Sequence, residues 1–244
     1  PVCEAGTVEP VWGMAHAQIL QLLRADEPPR PEHFATVELV RCRRCAHLYN
    51  QAYDAALADR MYQGELLSNV PVHVSMSRNL EQIAEWIGQD LIAGKRVIEI
   101  GGGSGHLARL LARTAKRVWV FEPSRGLRAE MLPEANIVLL NAPYAAGLVE
   151  EPVDLIVCRQ VLEHVADPLA MLREIRSALS ADGCCYLEVP SAEYIEEHAA
   201  LFDLHCFHVQ YFHEPHLLRL AARAGFGLVR SWQLKQGHDV GVLL

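Results

Sequence analysis

The feature that most constrains the fold is residues 97–106, VIEIGGGSGH, an apolar strand that runs into glycines and then into a helical pattern. Glycine is needed where a chain turns sharply and something must approach its backbone, because a Cβ would block both. The glycines fall at Gly101, Gly102, Gly103 and Gly105. From Lys95 onward strand and helix patterns alternate, the signature of a mostly parallel sheet covered on both faces. Strands are expected at residues 96–100, 118–121, 136–140, 154–158 and 184–189, with a closing pair at 227–234 and near 240–244. Helices are expected at about 105–114, 124–131, 168–179 and 215–224.

The chain has 244 residues, 51% of them hydrophobic, enough for one substantial core and a small appended module. A formal charge of −8 disfavours a phosphate-tracking nucleic-acid surface. No apolar run approaches the roughly 20 residues that span a bilayer, and the first residues lack a secretion-signal pattern, so a soluble, cytoplasmic protein is expected. The organisation expected is a front module over residues 1–50, a helical lid or linker over 51–94, and an α/β domain over 95–244. A short helical pattern lies near Ala15 to Leu23, before a break at Pro28, Pro29 and Pro31. Leu80, Ile83, Ala84 and Ile87 form one helical stripe.

The glycine turn does not suit a dinucleotide. The G-x-G-x-x-G fingerprint starting at Gly101 needs a glycine where His106 stands. What is present is acid-x-G-x-G-x-G, with Glu99 ahead of the turn. S-adenosylmethionine (SAM) carries an ammonium and a sulfonium and no phosphate, so Glu99 is placed to receive the ammonium. The second strand ends at Glu122, whose two oxygens match the two hydroxyls of a ribose.

These residues, with Asp154-Leu-Ile-Val-Cys-Arg-Gln-Val-Leu-Glu-His164 and Asp167-Pro168, resemble the class I SAM-dependent methyltransferases over about residues 60 to 235. The resemblance implies a Rossmann-like, seven-stranded fold. It assigns the methionine part to Gly101, Gly103 and Gly105, the ribose to Glu122, and the place beside the sulfonium to Gln160. Ala142 and Pro143 match the region lining adenine, where Asn141 stands in place of a frequent acid.

Cys3, Cys42 and Cys45 have the character of a structural zinc site, which wants four ligands. A cysteine ahead of Pro1, His33 or His47 would supply the fourth, and buried free thiols are the alternative. This front part resembles a methyltransferase subset with an N-terminal zinc module, several members of which methylate carbon in nucleotide-linked deoxysugars. Cys42-Arg-Arg-Cys-Ala-His-Leu-Tyr-Asn50, Tyr53-Asp54 and Met61-Tyr62-Gln-Gly-Glu65 carry the likeness. In that subset the segment corresponding to Tyr62 closes over SAM.

After the fifth strand come His198, His205, His208, His213 and His216. That density has three readings, a general base, a metal site, or ordinary surface and helix-cap residues, and the last is the reading of His198, His213 and His216. His208-Val-Gln-Tyr211-Phe212 aligns with a His-x-x-Tyr-Phe stretch of the sugar C-methyltransferases, making His208 the candidate base and Tyr211 its helper, with His164 third. The subset has Glu just before that histidine and Tyr three before it, where this chain has Phe207 and His205. The reaction expected is methyl transfer to a small-molecule acceptor, on carbon or alternatively on oxygen or nitrogen. A nicotinamide-dependent oxidoreductase and a non-catalytic SAM-binding protein are the rivals. Neither the acceptor nor the oligomeric state is legible.

Overall fold

The computed structural model describes Cys3, residues 6–19, residue 28, residues 34–62 and residues 73–244. A front sheet begins with β1 (Val8–Gln18), β2 (Phe34–Cys42) and β3 (Leu48–Asn50), followed by the helices α1 (Ala55–Tyr62), α2 (Val74–Ile87) and α3 (Gln89–Ile92). Ala15 to Gln18 thus belong to a strand, paired antiparallel with β2 from Val8↔Cys42 to Gln18↔Phe34. The helical reading there is corrected, because ladder pairing outweighs a weak local pattern. Residues 20–23, Pro29, Pro31, His33 and residues 63–65 lie outside the described residues.

The parallel strands are β4 (Arg96–Ile100), β5 (Arg117–Phe121), β6 (Ile137–Leu140), β7 (Val153–Arg159) and β8 (Leu179–Pro190). Helix α4 (His106–Ala112) follows β4, and α5 (Pro168–Ala178) connects β7 to β8. Beyond β8 lie α6 (Ala192–His198), β9 (Gln210–Tyr211), α7 (Glu214–Arg223), β10 (Arg230–Leu234) and β11 (Asp239–Leu243). The main sheet runs β10-β11-β8-β7-β4-β5-β6, with β11 antiparallel to both its neighbours. This is the seven-stranded Rossmann-like order, and β4 and β7 are the neighbours at which it reverses direction.

Alternation along β4 decides which side chain meets which layer. Val97 packs with Leu80, Ile83, Ile92, Leu107 and Leu111 on one face. Ile98 and Ile100 pack with Leu172, Ile175, Leu217 and Leu220 on the other. Helix α2 buries Leu80, Ile83 and Ile87, as its stripe predicted, while Ala84 is half-buried. Helix α5 starts where expected: Asp167 accepts the Ala170 N–H and Pro168 takes the first turn, where its missing donor costs nothing.

One expected helix is absent. Residues 124–131 hold only a 3₁₀ turn at Ala129–Met131. The Asn141 side-chain amide donates to the carbonyls of Glu122, Ser124 and Leu127, tying down acceptors that a helix would have used itself.

The segment after β8 does not stay with the main sheet. Strand β9 pairs with β3, Leu48 opposite Tyr211 and Tyr49 opposite Gln210, so the histidine-rich stretch supplies the fourth strand of the front sheet. Histidines 205 and 208 are thereby carried to the ends of β4 and β7. Among the described residues no helix is long and apolar enough to cross a membrane.

Candidate active site

The glycine turn after β4 is closed on itself. The N–H groups of Gly101 and Gly102 donate to the Phe121 carbonyl, Gly105 donates to Gly102, and Gly103 donates to Glu122 Oε2 at 2.7 Å. None of these four donors remains for a pyrophosphate, in keeping with the absence of the dinucleotide fingerprint. Gly101 has φ +76°, and a Cβ there would lie 2.3 Å from Val161 Cγ2. A Cβ on Gly102 would lie 2.2 Å from Val120 Cγ1. Only glycine permits this turn.

Glu122 is buried at the end of β5, with Oε1 accepting the Ser124 N–H at 2.8 Å and Oε2 held by Gly103. Burial raises its pKa while the two N–H bonds oppose the rise. Each oxygen retains a lone pair for a further donor. Glu122 lines a cavity of about 680 Å³ together with Gly101, Gln160, Pro143, Tyr144 and Tyr62. That volume is ordinary for a nucleoside-sized ligand and a small molecule beside it.

Gln160 follows β7 with φ +54°, a left-handed conformation that few non-glycine residues hold and that clusters at functional sites. It is over-determined: its N–H donates to the Glu188 carbonyl at 2.8 Å, and its side-chain amide to Asp239 Oδ2 at 3.0 Å. Asp239 also binds Lys235 and His238, and His238 reaches Asp203 at 3.1 Å.

The cavity's other end is built from histidines. His164, His205 and His208 line it beside Glu163 and Phe207, together with Tyr53 and Tyr62. The His205 and His208 ring centroids lie 3.7 Å apart, His164 and His208 4.9 Å, and Tyr62 and His164 5.5 Å. His164 Nδ1 faces the Phe207 carbonyl at 2.9 Å and His208 Nδ1 the Asp203 carbonyl at 3.0 Å. A carbonyl only accepts, so Nδ1 carries the proton in both rings and Nε2 presents a lone pair. Burial holds His164 and His205 down to about 4, and His208 well below the usual histidine range. All three rings are neutral.

Several expected residues fall elsewhere. Glu99 shares the side of β4 with Val97 and is absent from the cavity wall; burial lifts its pKa to about 8. The period of two puts it on the α4 face, while its neighbour Ile100 lines the cavity. Gly103 and Gly105 shape the turn without lining the cavity, and Tyr211 is buried behind His208, ring centroids 6.0 Å apart. His198 stacks on Tyr194 and His213 pairs with Glu196 at 3.0 Å; neither these nor His216 line the cavity. Sequence reasoning missed Tyr144 and gave Glu163 no role. Glu163 has a signal, adjacency to His164 in the 3₁₀ turn Leu162–His164, but spacing does not reveal its surroundings.

The three front thiols do meet. One sulfur from each of Cys3, Cys42 and Cys45 lies within 4.8 Å of the others, with Cys3 and Cys42 at 3.5 Å. Burial raises the Cys42 thiol, but the N–H groups of Cys45 and Arg44 aimed at its sulfur, aided by Cys3, bring it down to about 7, while at Cys45 burial prevails and lifts the thiol to about 11. Such a turn fits a thiolate-binding divalent metal such as zinc. His47 is not the fourth donor: it is fully buried with Nε2 2.8 Å from Gln210 Oε1 and stands outside the thiol cluster.

Comparison with known proteins defines the class. A family model described as a methyltransferase domain matches residues 71–231, and the chain belongs to that family. The chain is 28% identical over 144 residues to the ubiquinone biosynthesis O-methyltransferase of Xanthomonas campestris pv. campestris, covering 54% of this chain and 57% of that protein. It is 29% identical over 126 residues to the protein-L-isoaspartate O-methyltransferase of Dinoroseobacter shibae, covering 47% and 58%. The chain thus spans about half the length of the curated relatives it matches. Among solved structures, magnesium protoporphyrin IX methyltransferase from Synechocystis with bound SAH shares the fold at a TM-score of 0.54 and 16% identity, over 70% of this chain and 87% of that one. The DhpI–SAH complex does so at 0.55 and 18%, over 72% and 86%.

Proposed function

We propose that this chain binds SAM at the ends of β4 and β5 and transfers its methyl group to a small-molecule acceptor held among the histidines. The observation that carries this reading is one cavity lined both by a ribose-matching carboxylate, Glu122, and by the neutral imidazoles of His164, His205 and His208. When bound, SAM supplies an electrophilic methyl on sulfur. Glu122 accepts from the ribose hydroxyls, the Gly101 backbone lies against the methionine part, and Pro143 and Tyr144 flank the base. Tyr62, at the end of α1, covers the cavity and excludes water. Gln160, fixed at a left-handed backbone, sets the wall where the two ligands meet.

Methyl transfer is an in-line displacement, so the protein contributes mostly position. His164 and His208 add Nε2 lone pairs facing the acceptor, an arrangement for receiving positive charge, whether a proton or a cation. Tyr211 acts by holding the His208 ring. Transfer to oxygen is favoured by relatives named as O-methyltransferases. Transfer to a sugar carbon is what the front-module resemblance supports, with zinc on Cys3, Cys42 and Cys45 as a structural ion. Incubation with methyl-labelled SAM and a panel of phenols, hydroxy acids and nucleotide-linked sugars tests the reading. A labelled product whose fragmentation places the methyl on oxygen or carbon is expected; tight SAM binding with no product from any class would make the chain a SAM-binding protein without turnover.

A further inference from the structure

Glu163 is the least satisfied charged group of the site. It is 1% exposed, and neither carboxylate oxygen has a hydrogen-bond partner among the described residues. Desolvating a carboxylate without donors is strongly unfavourable, so such a group is ordinarily neutralised by a proton or by a cation. Its surroundings supply the means for the second. One ligand atom each from Glu163, His164 and His208 lie within 4.8 Å of one another, and His164 Nε2 is 3.8 Å from Glu163 Oε1. Both rings are fixed through Nδ1 to a main-chain carbonyl, the outer contact that metal-bound histidines characteristically make and that aims Nε2. His205 is excluded as a ligand by the opposite arrangement: its Nδ1 accepts the Phe207 N–H at 3.3 Å, leaving Nε2 protonated.

We propose that Glu163, His164 and His208 bind a divalent first-row metal ion in the acceptor end of the cavity. Two imidazoles and a carboxylate suit zinc, iron or cobalt, and leave coordination positions open toward the cavity. The acceptor class that uses an open position is one bearing a hydroxyl, whose oxygen would bind the ion. This use rests on the methyltransferase reading; the existence of the site does not. The thiols of the front module form a separate cluster, so the two sites are distinguishable by ligand chemistry.

Chelator-treated full chain titrated with Co²⁺ provides the test, read by visible absorption, native mass spectrometry and melting temperature. The expected result is a Co²⁺ ion with d–d bands and no sulfur-to-cobalt charge transfer, bound in addition to any thiolate-bound Co²⁺ and absent in Glu163→Gln and in His208→Gln while the thiolate-bound ion persists. The metal-free Glu163→Gln protein is expected to melt no lower than metal-free wild type, since it removes an unpartnered buried carboxylate, and to gain nothing from Co²⁺. Equal Co²⁺ stoichiometry and equal melting shifts in wild type and both variants would overturn the proposal. SAM calorimetry on the metal-free protein reports separately: loss of SAM binding would refute the methyltransferase reading and leave the metal result standing.

Discussion

Replacing Gly101 by alanine tests the turn that organises the site. The residue sits at φ +76°, a conformation costing a residue with a Cβ roughly 1–2 kcal/mol. The new Cβ would lie 2.3 Å from Val161 Cγ2, and valine is stiff about χ1 and cannot swing aside freely. Relieving that overlap adds about 1–3 kcal/mol of overpacking strain. The sum is roughly 2–5 kcal/mol, or a fall of roughly 4–20 °C in melting temperature for a domain of this size. Urea unfolding of the wild type, Gly101→Ala, Val161→Ala and the double variant separates the parts. The double variant is expected to recover about 1–3 kcal/mol as coupling between the two sites, with the backbone cost remaining. A Gly101→Ala cost under about 1 kcal/mol with no coupling would refute the turn geometry on which the site depends.

Further outcomes follow from other contacts. Asn141→Ala removes the donor to three carbonyls and is expected to cost about 1–3 kcal/mol and to loosen the segment bearing Glu122, measurable as lower stability together with weaker SAM binding. His238 is raised from 6.5 to about 9 by its hydrogen bonds to Asp203 and Asp239. Its stabilisation is therefore complete below pH 6.5 and fades as pH rises through 9, an effect that solvent screening holds to roughly 1 kcal/mol. Melting curves of His238→Gln should lose that alkaline decline, and an unchanged profile would show that the contact does not couple to folding. Cys42→Ser is expected to weaken zinc retention by more than the roughly 10–100-fold of an outer-contact change, read by native mass spectrometry; equal zinc content in variant and wild type would remove the thiol site.

The main sheet was legible because its strands are continuous apolar runs punctuated by glycine, proline and capping residues, as at Asp167-Pro168. That Glu122 and Gln160 line the cavity was legible because each directly follows a parallel strand, and strand ends face the ligand crevice. Glu99 lies off the cavity wall because one residue of alternation moves a side chain to the opposite face. The strand through Ala15 and the lost helix at residues 124–131 depend on partners far along the chain, β2 and Asn141, to which a local pattern is blind. His205 was visible only as one of several histidines, and Glu163 only as a neighbour of His164. What sets them apart is the fold-back of residues 199–212 onto the front sheet, a tertiary event.

Calorimetric titration of wild type and Glu122→Ala with SAM and with NAD tests the central claim most directly. Two hydrogen bonds to a charged acceptor at about 1.5 kcal/mol each make roughly 3 kcal/mol, so the variant should bind SAM about 100-fold more weakly, and neither protein should bind NAD. Equal SAM affinity in wild type and Glu122→Ala, or a preference for NAD, would contradict the account.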